Sequence, residues 1–294
     1  MLLSYRKTAV FCGKGKGRDR FQTSLFGLTV TPDGRLYVVG DRQVKVFDSA
    51  GGKLLGQWPT ERPGRCVAVA PDGRVWVGEA GQIELFDVEG RRLDRWQDKT
   101  LLSLVTSVGF FGEFVFVGDA GARAIRRFSK QREHQLDIGT DTNMRGFAIP
   151  NGQLDFALDK QGRLFVAHSG KHRVEWYSLD GELLGRFGHF GMRDPADFRG
   201  CCNPTNIALT PDEQVVVTEK AGPRVKVYDL NGRLLALVGE RFFHPNCKNM
   251  DVAVASDGRL FVADTVRLHV LVFAPEEQPA DSAKERTNTH EHVK

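Results

Sequence analysis

The chain has 294 residues, of which 41% are hydrophobic and 27% are charged, and its formal net charge is +4. This balance is typical of a globular protein with a buried core and excludes a chain that is disordered throughout. The mild positive charge permits nucleic-acid binding but is too small to predict it.

No run reaches about eighteen apolar residues, so we expect no membrane span. The first residues contain no signal-peptide core, and the chain as written is expected to be cytoplasmic, or exported if a signal peptide precedes this start.

The first predicted element is a strand over residues 4–12, SYRKTAVFC, and it is followed by a unit that recurs about every 40 residues. Each copy contains four short alternating or β-branched runs. Pro-Asp-Gly or Ser-Asp-Gly turns at 32–34, 71–73 and 256–258 supply the positive φ angle that a tight hairpin needs. The copies begin at Leu28, Val67, Ser107, Phe156, Ile207 and Val252.

Four antiparallel strands repeated at this spacing predict an all-β fold, a six-bladed β-propeller with four-stranded antiparallel blades. The sixth unit lacks a fourth strand, because the chain becomes polar after Phe273. We therefore expect the N-terminal strand to complete the last blade and close the ring, which removes an exposed edge. The predicted domain covers residues 1–275, and residues 276–294 are predicted to be a disordered polar tail.

The segments GRLFVADTVRLHVLVF, GRLYVVGDRQVKVF, GRVWVGEAGQIELF and GRLFVAHSGKHRVEWY resemble the repeats of the NHL family of six-bladed propellers. The resemblance covers roughly residues 4–274. It implies the fold but not one activity, because the family's relatives include lyases, lactonase-like hydrolases, RNA-binding domains and interaction scaffolds. The segment CNPTN at 202–206 resembles a blade-entering motif of the peptidyl-hydroxyglycine lyases. The histidines that bind metal in those enzymes are replaced here by Asp155, Asn206 and Asp251.

Those three polar residues occupy equivalent positions at the start of three inner strands, facing the predicted channel. Oxygen atoms converging on a channel suit Ca²⁺ or another divalent cation in or near it. The alternative is that they hydrogen-bond channel water and strand-end backbone. No cofactor follows from the sequence beyond this cation.

A second set of side chains ends the second strand of each blade: Asp41, Glu79, Asp119, His168, Glu219 and Asp264. Their predicted task is to accept hydrogen bonds from the backbone amides of the adjacent loop. His168, Glu219 and Asp264 are also candidates for ligand binding, together with Asp155, Asn206 and Asp251.

Cysteines at matching places on neighbouring blades, Cys202 and Cys247, have Cys201 beside them. Four interpretations stay open: packed small thiols, a disulfide, a soft-metal site made by these three cysteines, or a reactive thiol. The other two cysteines are Cys12 and Cys66, and the odd total predicts at least one free thiol.

The function favoured by the sequence is that of a binding or interaction scaffold rather than an enzyme, because no catalytic motif is visible. A protein or small-molecule partner is expected on the channel-side face near blades 4–6, where the long loops 188–204 and 239–249 lie. The first alternative is a metal-dependent hydrolase or lyase of the lactonase-like kind. The second is RNA binding by the basic loop 13–21 and the arginines of blade 3. The chain is expected to be a monomer that does not bind membranes.

Overall fold

A computed structural model of the protein describes residues 3–276. Within this range the chain forms 24 β-strands and two single-turn 3₁₀ segments, Ser169–Lys171 and Glu240–Phe242, with no α-helix. No helix in these residues is long and apolar enough to cross a membrane. The predicted polar tail lies outside the described residues except for Glu276.

The first strand, β1, covers Tyr5–Cys12, and three complete blades follow it. Blade 1 contains β2 (Gly27–Val30), β3 (Arg35–Gly40), β4 (Gln43–Asp48) and β5 (Leu54–Pro59). Blade 2 contains β6 (Cys66–Val69), β7 (Val75–Glu79), β8 (Gln82–Phe86) and β9 (Arg92–Gln97). Blade 3 contains β10 (Val105–Phe111), β11 (Phe114–Asp119), β12 (Ala124–Ser129) and β13 (His134–Ile138).

The second half repeats this order. Blade 4 contains β14 (Phe156–Leu158), β15 (Leu164–His168), β16 (Arg173–Tyr177) and β17 (Leu183–Phe187). Blade 5 contains β18 (Asn206–Leu209), β19 (Val215–Glu219), β20 (Arg224–Tyr228) and β21 (Leu234–Val238). Blade 6 contains β22 (Val252–Val254), β23 (Leu260–Asp264) and β24 (His269–Pro275). The first strands of neighbouring blades contact one another around a central channel, β22 and β2 included.

Every blade is a four-stranded antiparallel sheet, so the predicted fold is confirmed. Gly34, Gly73 and Gly258 have φ angles of 82°, 86° and 80°, as the turns between the first and second strands require. Buried apolar side chains fill the spaces between neighbouring blades in six clusters.

The ring is closed by the N-terminal strand, as the sequence predicted. In blade 6, β1 pairs antiparallel with β24, in a register that runs from Tyr5 opposite Pro275 to Cys12 opposite His269. The backbone amide of Glu276 also donates to the carbonyl of Ser4 at 2.9 Å. The last blade therefore takes its outer strand from the other end of the chain.

Phe11, on this closing strand, fills the seam between blades 6 and 1. Its side chain is 6% exposed and its ring centroid lies 6.2 Å from that of Phe261. On the blade 1 side, a Cβ atom at Gly52 would lie 2.4 Å from the Cδ1 atom of Phe11, so only glycine fits there. The seam is thus packed as tightly as a domain core.

We predict that Phe11→Ala lowers the free energy of unfolding by about 3–5 kcal/mol, because it leaves a cavity in this seam. The matched control is Val10→Ala on the same strand, where the side chain is 45% exposed and the expected loss is within about 1 kcal/mol. Chemical denaturation of both variants measures the difference. Equal losses would show that the seam does not depend on Phe11.

Candidate functional site

Three cavities follow one another along the central channel. The loop face of the propeller carries the segments that lead into each inner strand, and the turn face carries the Asp-Gly turns. A mouth of about 340 Å³ opens on the loop face, a channel cavity of about 260 Å³ lies among the inner strands, and a mouth of about 290 Å³ opens on the turn face. Function in such folds concentrates where loops from several blades meet.

Asp155, Asn206 and Asp251 come together at the channel cavity, at equivalent positions of blades 4, 5 and 6. The Oδ2 atom of Asp155 accepts a hydrogen bond from the amide of Ile207 in blade 5 at 2.9 Å. The Nδ2 atom of Asn206 donates to Oδ1 of Asp251 at 3.2 Å. These contacts link each blade to the next one.

The link from the last blade back to the first uses the same carboxylate. Oδ2 of Asp251 accepts from the amide of Leu28 in blade 1 at 2.7 Å. Between blades 3 and 4, the hydroxyl of Ser107 donates to the carbonyl of Leu154 at 2.9 Å. The polar ring that the sequence marked as a candidate ligand site therefore joins neighbouring blades.

Two carboxyl groups in this small cavity are costly to ionise. Burial, followed by the negative charge of Asp251, raises the pKa of Asp155 well above its usual range. Burial raises the pKa of Asp251 to about 6. Asn206 is 1% exposed and its Oδ1 atom accepts no hydrogen bond from the described residues. That oxygen is a buried acceptor left open in this polar ring.

The residues that end the second strands hold the loop face in place. The carboxylate of Asp41 accepts from the amides of Thr23 and Ser24 at 2.8 Å each, and the Oδ2 of Asp264 accepts from the amide of His244 at 3.0 Å. The predicted capping role is confirmed at these positions. A neutral acceptor serves equally in blade 4, where Nε2 of the buried His168 accepts from the amide of Ala148 at 3.0 Å.

His168 also contacts a buried acid on the third strand of its blade. Its Nδ1 atom lies 3.0 Å from Oε2 of Glu175. Burial alone would raise the pKa of Glu175, but the hydrogen bonds from His168, Tyr177 and Arg173 outweigh it and hold that pKa below its usual range. His168 is thus placed within blade 4, behind the channel.

Glu219 departs from the capping pattern. It is fully buried and pairs with Arg224 and, at 3.3 Å, with Nζ of Lys226. Burial lowers the pKa of Lys226 to about 8. Asn203 holds the adjacent loop instead: its Oδ1 accepts from the amide of Lys220 at 2.9 Å and its Nδ2 donates to the carbonyl of Arg199 at 2.6 Å. In blade 5 the loop is therefore held by the side-chain amide of Asn203, and Glu219 belongs to a buried ion cluster with Arg224 and Lys226.

The three candidate cysteines occupy different environments. Cys201 is exposed, Cys202 is half-buried beside Lys220, and the buried Cys247 donates its thiol hydrogen to Oδ1 of Asp264 at 3.1 Å. Burial and the neighbouring Asp264 raise the pKa of Cys247 to about 11. All five thiols are free, and no group of three or more His, Cys, Asp or Glu side chains in residues 3–276 is arranged to hold a metal ion. The soft-metal site stays a prediction.

The long loops place their aromatic side chains mostly inward. Phe198 and Phe243 are buried, whereas Phe190 is 55% exposed and its ring lies 5.2 Å from that of His172.

The basic loop 13–21 is a compact hairpin that is attached to blade 1, because Nζ of the buried Lys45 donates to the carbonyl of Arg18 at 2.5 Å. Its four cationic side chains face solvent: Lys14, Lys16, Arg18 and Arg20.

The arginines of blade 3 are engaged by the fold. Arg123 donates to the carbonyl of Phe147, Arg126 lies 3.7 Å from Asp119, and Arg127 and Arg132 pair with Asp180 and Asp94. They do not form the free basic surface that the RNA-binding alternative requires.

Sequence reasoning missed the cationic residues of the loop-face mouth. Arg65 and Lys248 line it from the segments entering blades 2 and 6, together with hydroxyl and amide side chains that include Thr23, Asn151 and Asn249. Arg65 directly precedes Cys66, the residue equivalent to Asp155, so the register of the repeat was the signal that could have found it.

Comparison with solved structures agrees on the architecture. A catalytically inactive virginiamycin B lyase from Staphylococcus aureus, solved with quinupristin, superposes with a TM-score of 0.58 at 14% identity, covering 89% of this chain and 82% of that one. The WD40 repeats of RRP9 give a TM-score of 0.64 at 13% identity, covering 93% of this chain and 100% of that one. Such low identities show the fold alone. The class of protein is therefore a β-propeller, here with six blades.

Relatives by sequence point to one propeller family. The E3 ubiquitin-protein ligase NHLRC1 of Homo sapiens is 32% identical over 108 residues, which are 36% of this chain and 24% of that protein. Protein brain tumor of Drosophila melanogaster is 25% identical over 130 residues, 43% of this chain and 12% of that protein. No protein-family model matches. These relatives, the repeat motifs and the six blades support an NHL-repeat propeller family, and the chain spans about a quarter of the length of the ligase.

The channel carboxylates generate a pH prediction. An unfolded aspartate has a pKa of about 3.9, so the folded protein, with Asp251 at about 6, binds more protons between these two values. Ionisation of Asp251 therefore lowers stability as the pH rises through this window. We expect Asp251→Asn, which keeps an oxygen for the Leu28 amide, to reduce the stability difference between about pH 4.5 and pH 7.5 by up to about 2 kcal/mol.

Chemical denaturation at the two pH values measures this difference. Asp212→Asn, which removes an exposed carboxylate from a turn of blade 5, is the control and should leave the wild-type profile unchanged. If Asp251→Asn loses as much stability as the wild type over this range, Asp251 does not carry the cost of ionisation assigned to it.

Proposed function

We propose that the chain is a protein-binding scaffold whose partner is recognised at the loop-face mouth. The observation that carries this proposal is the composition of the mouth. Its lining comes from the segments entering blades 1, 2, 3, 4 and 6, so residues far apart in the chain share one recessed opening. Shared openings of this kind are where ligand sites form most often.

The side chains at this opening have polar atoms that the fold leaves available. Lys248 is exposed and Arg65 is half-buried at the rim, and neither side chain forms a hydrogen bond or an ion pair with another described residue. By contrast, the polar groups deeper in the channel are bound to neighbouring blades. The loop face thus offers recognition groups that can change partner without loosening the ring.

The sequence predicted a partner site near blades 4–6, and the proposed site includes blades 4 and 6 but not blade 5. Segments entering blades 4 and 6 line the mouth, and those entering blades 1–3 join them. Within the described residues, the segment entering blade 5 lines no part of it. Phe190 and Met192 of that segment are exposed and do not line the mouth.

The sequence relatives support a recognition role. The relative from Homo sapiens is named as a ubiquitin ligase, and only about a quarter of its length matches this chain. A propeller carried within a longer protein is a common way to supply partner recognition, because its blades present several loops on one rigid frame.

The alternative of a metal-dependent hydrolase or lyase has weaker support. Its candidate groups, Asp155 and Asp251, each use both carboxylate oxygens to accept backbone amides. The likeness to virginiamycin B lyase extends to the fold only.

Site-specific photo-crosslinking tests the proposed face. The crosslinker p-benzoylphenylalanine replaces Gln153 or Val266 on the loop face and, as matched controls, Lys160 or Ser256 on the turn face. In cells that express the full chain, we expect protein adducts from the loop-face positions, suppressed by excess wild-type chain and identified by mass spectrometry. Adducts formed only from Lys160 or Ser256 would place the partner on the turn face, and adducts from no position would argue against a protein partner.

A further inference from the structure

The loop-face mouth has a single sign of charge. Its lining contains two cationic side chains, Arg65 and Lys248, and no carboxylate. Neither cation has an ion-pair partner in the described part of the chain. Unpaired cations at a concave polar opening attract anions, because the recess concentrates their field.

The carboxylates nearest to this mouth are already occupied. Asp41 and Asp264 bind the amides of the loops above them, and Asp155 and Asp251 lie below in the channel cavity. An anion at the mouth therefore meets two unpaired cations at the rim, whereas the channel cavity below offers it carboxyl groups and no cationic side chain. This placement of the cations favours the mouth over the channel as the binding place of an anionic group.

Arg65 is fixed in place before any ligand binds. Its guanidinium group lies 4.5 Å from the centroid of the Phe26 ring, and its backbone amide donates to the carbonyl of Gly78 at 2.7 Å. A cation held over an aromatic face loses little side-chain freedom on binding. The hydroxyls of Thr23 and Thr265 and the amide of Asn151 donate to Asp41, to the carbonyl of Lys248 and to Asn249. Arg65 and Lys248 are therefore the lining side chains whose charged donors have no hydrogen-bond partner among the described residues.

These observations favour a protein carboxylate over RNA. Single-stranded RNA binds on exposed aromatic faces on which its bases stack, but the face of Phe26 is covered by Arg65. Among the described residues, Phe190 is the exposed aromatic side chain, and it lies beside His172 rather than at the mouth. A volume of about 340 Å³ holds one or two side chains and not a strand of stacked bases.

We propose that the mouth receives an acidic segment of the partner protein, with a carboxylate bound between Arg65 and Lys248. This inference rests on the proposed function and adds the chemistry of its partner. The exposed cations of loop 13–21, on the same face, extend the attraction to further acidic residues of that segment.

Fluorescence anisotropy with a fluorescein-labelled hexaglutamate peptide and the full chain tests the proposal. At low salt we expect saturable binding that Arg65→Gln and Lys248→Gln each weaken about fivefold or more, the effect of losing one charge pair. Lys160→Gln, which removes a cation lining the turn-face mouth, is the matched control and should change the affinity less than about twofold. Arg65→Lys keeps the charge and should retain most of the binding, and thermal melts confirm that each variant is folded.

Three results would overturn the proposal. These are the absence of saturable hexaglutamate binding, equal binding by wild type and both Gln variants, and tighter binding of a labelled hexauridylate RNA through the same two residues. The crosslinking experiment separates these failures from a failure of the proposed function. Loop-face adducts that persist in the Arg65→Gln and Lys248→Gln backgrounds would leave the binding face intact and remove only the acidic partner.

Discussion

The pairing of β1 with β24 is the constraint on which the rest of the molecule depends. A row of blades has two free sheet edges and two unburied faces until its ends meet. Here the ends meet inside one sheet, because the last blade receives its outer strand from the start of the chain. Phe11 then packs that sheet against blade 1. Every shared opening along the channel exists because this closure fixes the distance between blades that are remote in sequence.

Within the closed ring, the structural groups and the groups proposed for recognition lie at different depths. Near the channel cavity, Asp155, Asn206 and Asp251 connect blades 4, 5, 6 and 1 through hydrogen bonds. Between blades 1 and 2, the described residues form no such bond at this level, and close packing replaces it: a Cβ atom at Gly27 would lie 2.8 Å from Cα of Cys66. At the loop face, Arg65 and Lys248 take no part in these links. Residues at the rim can therefore change without loosening the channel layer that keeps the ring together, which suits the partner site proposed there.

The sequence predicted the fold almost completely, because the alternation of apolar residues recurs in all six blades and turns like that at 32–34 recur in three of them. It also predicted that Asp155, Asn206 and Asp251 share one position. It did not reveal their bonding, because the amide of Ile207 belongs to another blade and no repeat pattern names the acceptor it meets. Arg65 and Lys248 were missed for a related reason: the segments entering the blades differ in length, so only the folded ring brings them to one mouth. Glu219 occupies the same repeat position as the residues that cap loop amides, so the sequence predicted that role for it. In the structure its carboxylate pairs with Arg224 and Lys226 instead.

Native-state hydrogen exchange of β1 measures the closure most directly. If the strand is an integral part of the ring, its amides paired with β24 exchange only through global unfolding, with the same protection free energy as the amides of inner strands such as β18. Exchange of β1 at a much lower free energy, while the blades stay protected, would show that the strand is an appendage and that something else holds the ring closed.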